Sequence, residues 1–509
     1  MMNQPLTLPP RFSLTNNPII SQPDSMKHFC AAIALTAALA SQAEIITYPA
    51  GQGVETNNDF SVEVRQADGP WQPVCTYPVK VDEVLNARHN VRMASMAYFD
   101  FDGGAVEVKV TSNSAAPVDS VRVRPLSRGI MPQTSGNVVT FTIDRPDNLS
   151  VEVNGDIFHN LHLFANPIDS HRPTARQLKN LKKQRNLIYF APGVHNLPGD
   201  SLRLASGTTV YIDGGARVNG RLIADSVRDV RIYGRGEVHP QGRGEGVYIK
   251  RSRNIDVDGI ILTQIPVGQS DSININNVKS ISSYGWGDGM NVFASNNVTY
   301  RNVFCRNSDD CSTVYATRKG FKGGCRNILM ENSTLWADVA HPIMIGLHGS
   351  ATEIGPDAPA DTICNIVYRN LDILDHHEQQ IDYQGCFGIS CGDNNVVRDV
   401  TFDNIRVEDF RRGQLVNIRI FFNKKYCAAP GTSVSNVLLK DITYNGNRSE
   451  MSVIAGYDDT RKVSDITFDN LVINGQKIHD DMPGKPKWYK TSDFARIFIG
   501  EHVDNVTFK

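Results

Sequence analysis

The sequence predicts an all-β chain in which a small antiparallel β-sandwich precedes a parallel β-helix, a solenoid of stacked coils. Three observations carry this reading. A strand-sized block recurs as far as the C-terminus. Residues 44–170 alternate apolar and polar side chains with period 2, and no long helical stretch interrupts either part.

The chain has 509 residues, more than one compact core organises, so it should divide. Residues 1–43 read as an upstream leader and a secretory signal. Met26-Lys27-His28 is a short basic start, Phe29 to Ala40 is apolar, and Ala40-Ser41-Gln42-Ala43 supplies small residues before Glu44. That apolar run is too short to span a bilayer, so a secreted or periplasmic protein with no membrane insertion is expected. A net charge of −2 and a pI near 6.7 argue against nucleic acid as a partner.

Residues 44–170 are assigned to the sandwich. Phe60-Ser-Val-Glu-Val-Arg, Ala105-Val-Glu-Val-Lys-Val and Val138-Val-Thr-Phe-Thr-Ile each place one apolar face against a core. No catalytic constellation appears there; the expected role is support of the solenoid, with sugar binding as the alternative. Residues 171–185, rich in Arg and Lys, read as a short helix or linker.

From residue 186 to 509 the pattern changes. Asn254-Ile-Asp-Val-Asp-Gly-Ile is followed by blocks of the same form at Asn297, Asn327, Asn365, Asp399, Asn436, Asp465 and Asn505, spaced 29 to 43 residues apart. The aliphatic positions point inward, and the leading Asn or Asp suits a corner, where its side chain bonds local backbone and tolerates left-handed φ. No single coil could bury such a core alone, so many copies are needed.

Nine cysteines are present, and Cys30 falls in the signal. Buried thiols are the main expectation for the rest, with Cys386–Cys391 the one local disulfide considered. There is no CxxC pair, and neither a metal nor a cofactor is expected.

Two polar islands interrupt the blocks: Gly285-Trp286-Gly287-Asp288-Gly289-Met290-Asn291 and Asn307-Ser308-Asp309-Asp310-Cys311. Asp288 and Asp309 lie 21 residues apart, about one coil, so Asp288, Asp309 and Asp310 should share one surface. Adjacent strand residues face opposite ways, so the doublet needs a bulge or turn. Clustered carboxylates raise the pKa of at least one member, which suits glycosidic acid–base chemistry. A calcium site or a solvated Asp ladder are the other readings. One coil on, His341 and then His348 are the histidines nearest the acids. Trp286 either stacks on a sugar ring or packs its loop.

This arrangement resembles the glycoside hydrolase family 28 pattern, the polygalacturonase-like clan of right-handed parallel β-helices with the pectin lyase fold. The doublet matches Asp309-Asp310, and the family's Gly-His-Gly matches Ala340-His341-Pro342 with both glycines lost. The sandwich and the long loop before His341 look more like family 49, the dextranase and isopullulanase group. The resemblance implies an inverting hydrolase of a polysaccharide or oligosaccharide. Asp309 would be the general acid, Asp288 and Asp310 would hold the attacking water, and His341 would orient the acid. Trp286, Asn291, Arg318, His348 and Asp382 are the candidate substrate contacts. Asp382 stands where polygalacturonases carry an Arg-Ile-Lys strand, which argues for a neutral or mixed sugar. A β-helical lyase and a non-catalytic carbohydrate-binding solenoid are the alternatives. A monomer is expected.

Overall fold

A computed structural model describes residues 44–66, 68–180 and 186–509. The expected leader and signal, and the last part of the expected linker, 181–185, lie outside the described residues. No helix among the described residues is long and apolar enough to cross a membrane.

The molecule is all-β. Its larger part is a right-handed parallel β-helix of 28 strands, in which each strand pairs in parallel with the strand one coil on. The exception is Gln476–Ile478, which turns back antiparallel on Val463–Ile473. The recurring block forms vertical stacks. Val298, Ile328, Ile366, Val400, Val437, Ile466 and Val506 are register partners in successive coils. Tyr300, Met330, Tyr368, Phe402, Leu439, Phe468 and Phe508 form a second stack beside it. Nearly all these side chains are buried in one continuous core.

The corner residues behave as their chemistry requires. Asn254, Asn297, Asn327, Asn365, Asp399, Asn436, Asp465 and Asn505 all have φ between 54° and 58°. Their side chains form a ladder: Asn327 Nδ2 donates to Asn297 Oδ1 at 2.8 Å, and Asn365 Nδ2 donates to Asn327 Oδ1 at 2.7 Å. The wide gap between the blocks at 254 and 297 hides one more coil, whose corner is Ser272 with φ of 58°. Replacing Asn327 by Ala should destabilise the protein by about 1–2 kcal/mol in urea unfolding, through left-handed strain and two lost hydrogen bonds. Asn327→Gly should recover part of this, because Gly accepts that φ; equal losses would mean that strain is not the cause.

The sandwich has a six-stranded and a five-stranded sheet. One pairing departs from the antiparallel expectation: Leu161–Asn166 runs parallel to Arg88–Phe101. Its apolar faces enclose a separate core. Between sandwich and solenoid lie buried polar clamps. Arg235 Nε meets Asp100 Oδ1 at 2.8 Å, Arg124 Nε meets Glu408 Oε2 at 2.6 Å, and Arg306 Nη1 donates to Asn160 Oδ1 at 2.8 Å. The helix expected near 171–185 is the short Ala175–Lys179, capped by Thr174.

The Cys386–Cys391 bridge does not form. Both are free, buried thiols, separated by the extended strand Phe387–Cys391. Five residues of strand span roughly 16 Å, far beyond disulfide reach.

Candidate active site

One corner of the solenoid carries the acidic residues. Asp288 precedes the strand Met290–Phe293, the doublet lies between Phe304–Asn307 and Ser312–Tyr315, and His341 precedes Ile343–Ile345. These strands stack in consecutive coils. The chain bends at Ser308 and Asp309, which supplies the turn the doublet needs. The register pairs Met290 with Ser312, and Gly289 N–H donates to the Asp310 carbonyl at 2.8 Å. Asp288 therefore stands opposite Asp310 rather than Asp309, because this coil is one residue longer than the sequence spacing implied.

Asp288, Asp309 and Asp310 line one cavity of about 730 Å³. Asp310 is tied down on both oxygens. Its Oδ1 accepts from His341 Nδ1 at 2.7 Å and from His341 N–H at 3.2 Å, and its Oδ2 accepts from the Tyr315 hydroxyl at 2.9 Å. Among the described residues, Asp309 Oδ1 accepts only from the Asp310 N–H, at 3.0 Å.

The electrostatics separate the three acids. Burial, then the charges of Asp288 and Asp310, push the Asp309 pKa well above the ordinary carboxylate range. Burial, then the charge of Asp310, pushes Asp288 up to about 6; Lys319 and a hydrogen bond from Asn291 partly offset this. Both carboxyls are walled in by protein yet open to the cavity. His341 is fully buried, which disfavours its charged form. The Asp310 carboxylate and its hydrogen bond outweigh that penalty and raise the His341 pKa. Its other nitrogen, Nε2, faces the Tyr383 carbonyl, so both ring nitrogens have acceptors. His341 acts on Asp310 and makes no hydrogen bond to Asp309, the acid it was expected to orient.

The other predicted residues divide. Trp286, 77% exposed, lines the cavity together with Arg318 and His348. Burial, then the nearby Arg318 charge, pushes His348 down to about 3, so its ring is neutral. Asn291 sits behind the wall, where its side chain supports Asp288 and accepts from Thr313 Oγ1 at 2.6 Å. Asp382 is a correction. A strand was expected there, but Ile381–Tyr383 forms a 3-10 turn. The turn sends Tyr383 to the cavity and leaves Asp382 exposed, bonded to Asn423 Nδ2 at 3.1 Å. Arg419 bonds Asn417 at 2.8 Å and is likewise absent from the lining.

Several lining residues escaped sequence reasoning. Glu378 belongs to Asp375-His376-His377-Glu378, a polar island one coil beyond His341 that could have been noticed. Tyr315 and Tyr383 read as strand-forming aromatics. His89 comes from the sandwich, and nothing in the sequence links it to a site some two hundred residues away.

No family model matches the chain, and no curated protein matches it in sequence. Solved structures do resemble it. Dex49A from Penicillium minioluteum aligns with a TM-score of 0.58 at 13% identity, over 89% of this chain and 96% of that one. A family 28 exopolygalacturonase from Yersinia enterocolitica aligns with a TM-score of 0.45 at 11% identity, over 84% and 99% of the two chains. A polygalacturonase from Erwinia carotovora ssp. carotovora gives 0.44 at 17% identity, over 60% and 91%. At such identities the property held in common is the fold, and with Dex49A it extends over nearly the whole of both chains.

Proposed function

We propose that this chain is an exported glycoside hydrolase that cuts a polysaccharide or oligosaccharide with inversion, working as a monomer without a cofactor. One observation carries the reading: Asp309, with its pKa pushed well up, shares a cavity with two further carboxylates, one of them pinned by His341 and Tyr315. A protonated acid beside an ionised partner is the requirement for acid–base cleavage of an acetal. Asp309 gives its proton to the glycosidic oxygen as the C–O bond breaks. Asp288 takes a proton from the water that attacks the opposite face. Asp310 keeps its charge in place and thereby holds up the pKa of both neighbours. His341 is a positioning residue, acting through Asp310. Inversion requires the acid and base carboxyls to stand roughly 6.5–9.5 Å apart.

Trp286 offers an open ring face for a sugar. His348 offers a neutral ring, and Arg318 a cation. With Asp382 turned away, its charge no longer argues against an acidic sugar. Residues 44–170 are the supporting sandwich, 171–185 the connection and 186–509 the catalytic solenoid.

Incubation with a panel of glycans, followed by anomer-resolved NMR of the product, tests this. The first-formed product should have the inverted anomeric configuration. Retained configuration or an unsaturated, ultraviolet-absorbing product would refute the mechanism, the latter in favour of a lyase. The pH profile of kcat/KM should be bell-shaped. Activity should fall below about pH 6, as Asp288 gains a proton, and fall again at high pH, as Asp309 loses its own. Because the cluster titrates as a unit, the two limbs belong to the set of acids rather than to single residues.

A further inference from the structure

A second cavity, of about 640 Å³, lies between the sandwich and the solenoid. It shares Arg243, Gln264, Tyr284 and Gly285 with the acid-lined cavity, so the two adjoin across one ridge. We propose that this second cavity binds the distal sugar units of the same saccharide chain, and that the sandwich hairpin formed by Thr76–Leu85 and Arg88–Phe101 thereby sets the chain length the enzyme prefers. The inference deepens the hydrolase reading and rests on it for the identity of the ligand.

The ridge is built to be held still. The Arg243 guanidinium lies 4.2 Å from the Tyr284 ring centroid and 5.0 Å from that of Trp286. Tyr284 is 50% exposed and lines both cavities. Tyr284, Gly285 and Trp286 have φ of 72°, 68° and 47°, a run that non-glycine residues adopt only under constraint. The constraint comes from Asp82, on the sandwich strand Thr76–Leu85. Its Oδ2 accepts from Tyr284 N–H at 2.9 Å, Gly285 N–H at 3.0 Å and His89 Nδ1 at 2.6 Å. Gln264 Nε2 holds the Trp286 carbonyl at 3.0 Å. Gly285 is required here, since a Cβ would stand 2.9 Å from His89 Nε2. Observed strain, clamped from another part of the fold beside a cavity, points to use rather than to packing alone.

The second cavity has the two-sided chemistry of a sugar site. Val91 and Met93 on the hairpin, 43% and 38% exposed, form an apolar wall. Arg217, Glu237 and His239 on the solenoid form the polar wall, with His239 Nε2 at 3.0 Å and Arg217 Nη1 at 3.5 Å from Glu237 Oε2. A pyranose presents C–H groups on a face and hydroxyls at its edge, which matches this pairing of walls.

The test uses the full chain carrying Asp309→Asn, so that ligands bind without being cleaved. Isomalto-, malto- and galacturono-oligosaccharide ladders, from disaccharide to octasaccharide, are titrated calorimetrically. Affinity in the ladder that binds should rise with length beyond the units the first cavity holds. Adding Met93→Arg, which places a bulky charge on the apolar wall, should weaken the longest ligand by about tenfold and leave the shortest unchanged, a difference of one good contact. Val91→Arg, on the same wall, should do the same, and thermal melting shows which variants are folded. Affinity that is flat with length in every ladder, or folded variants that weaken short and long ligands alike, would overturn the proposal. Turnover by the unmodified protein separates the two ideas. Length-dependent binding without cleavage leaves the second cavity standing and removes the hydrolase assignment.

Discussion

Asp309→Asn is expected to lower the release of reducing ends by about 100- to 10,000-fold, the range associated with loss of a general acid. The amide has nearly the shape of the carboxyl but no transferable acidic proton. Stability should move the other way. A carboxyl whose folded pKa is raised binds its proton more tightly folded than unfolded. It therefore opposes folding above the ordinary carboxyl pKa, increasingly so until the folded pKa is reached. Asn removes that penalty, so the melting temperature should rise by about 2 °C near pH 7 and hardly change near pH 4, where the carboxyl is protonated in the folded state. Retention of activity within about tenfold of the unmodified protein would show that Asp309 is not the acid. Loss of activity together with a lower melting temperature would mark it as structural.

Arg306→Ala is expected to destabilise the protein by about 3–5 kcal/mol, because it breaks a buried ion pair from one side. Arg306 and Asp338 are both fully buried, with Nε to Oδ2 at 2.9 Å. The same guanidinium donates to the Ile157 carbonyl at 2.7 Å and to Asn160 Oδ1 at 2.8 Å, which ties the sandwich to the solenoid. It also lies 4.1 Å from the Trp336 ring centroid. Without it, Asp338 keeps only the longer Arg411 contact at 3.6 Å among its ion pairs. Asp338 Oδ2 also accepts from Asp82 N–H at 3.3 Å, and the Asp82 side chain is the clamp on the Trp286 loop. Activity should therefore suffer along with stability. Arg306→Lys should recover little, since an ammonium cannot reproduce the planar fork. Urea unfolding measures the loss, and a change below about 1 kcal/mol would show that the sandwich does not depend on this contact.

The solenoid was legible because its constraints are local and repeated. An Asn at Asn327 or Asn365 declares a left-handed corner, and the apolar residues one and three positions later declare which way the strand faces. Repetition multiplied a weak signal until it named the fold. It failed at Ser272, where a single substitution in the block hid a coil. The site was legible only as far as the coil spacing reached. The three acids could be brought to one corner, but a difference of one residue in coil length decided that Asp288 faces Asp310. The same limit explains Asp382, whose neighbours read as a strand and instead make a turn.

The sequence by itself determined the stacked β architecture and the grouping of Asp288, Asp309, Asp310 and His341, since both follow from short-range periodicity. Only the tertiary structure decided which acid His341 holds, that Glu378 joins the cavity, that His89 reaches it from the sandwich, and that Asp82 holds the loop beside it. Those contacts join residues far apart in the chain through packing of two sheet systems. Such packing depends on shape and on buried polar pairs that leave no periodic trace in a sequence.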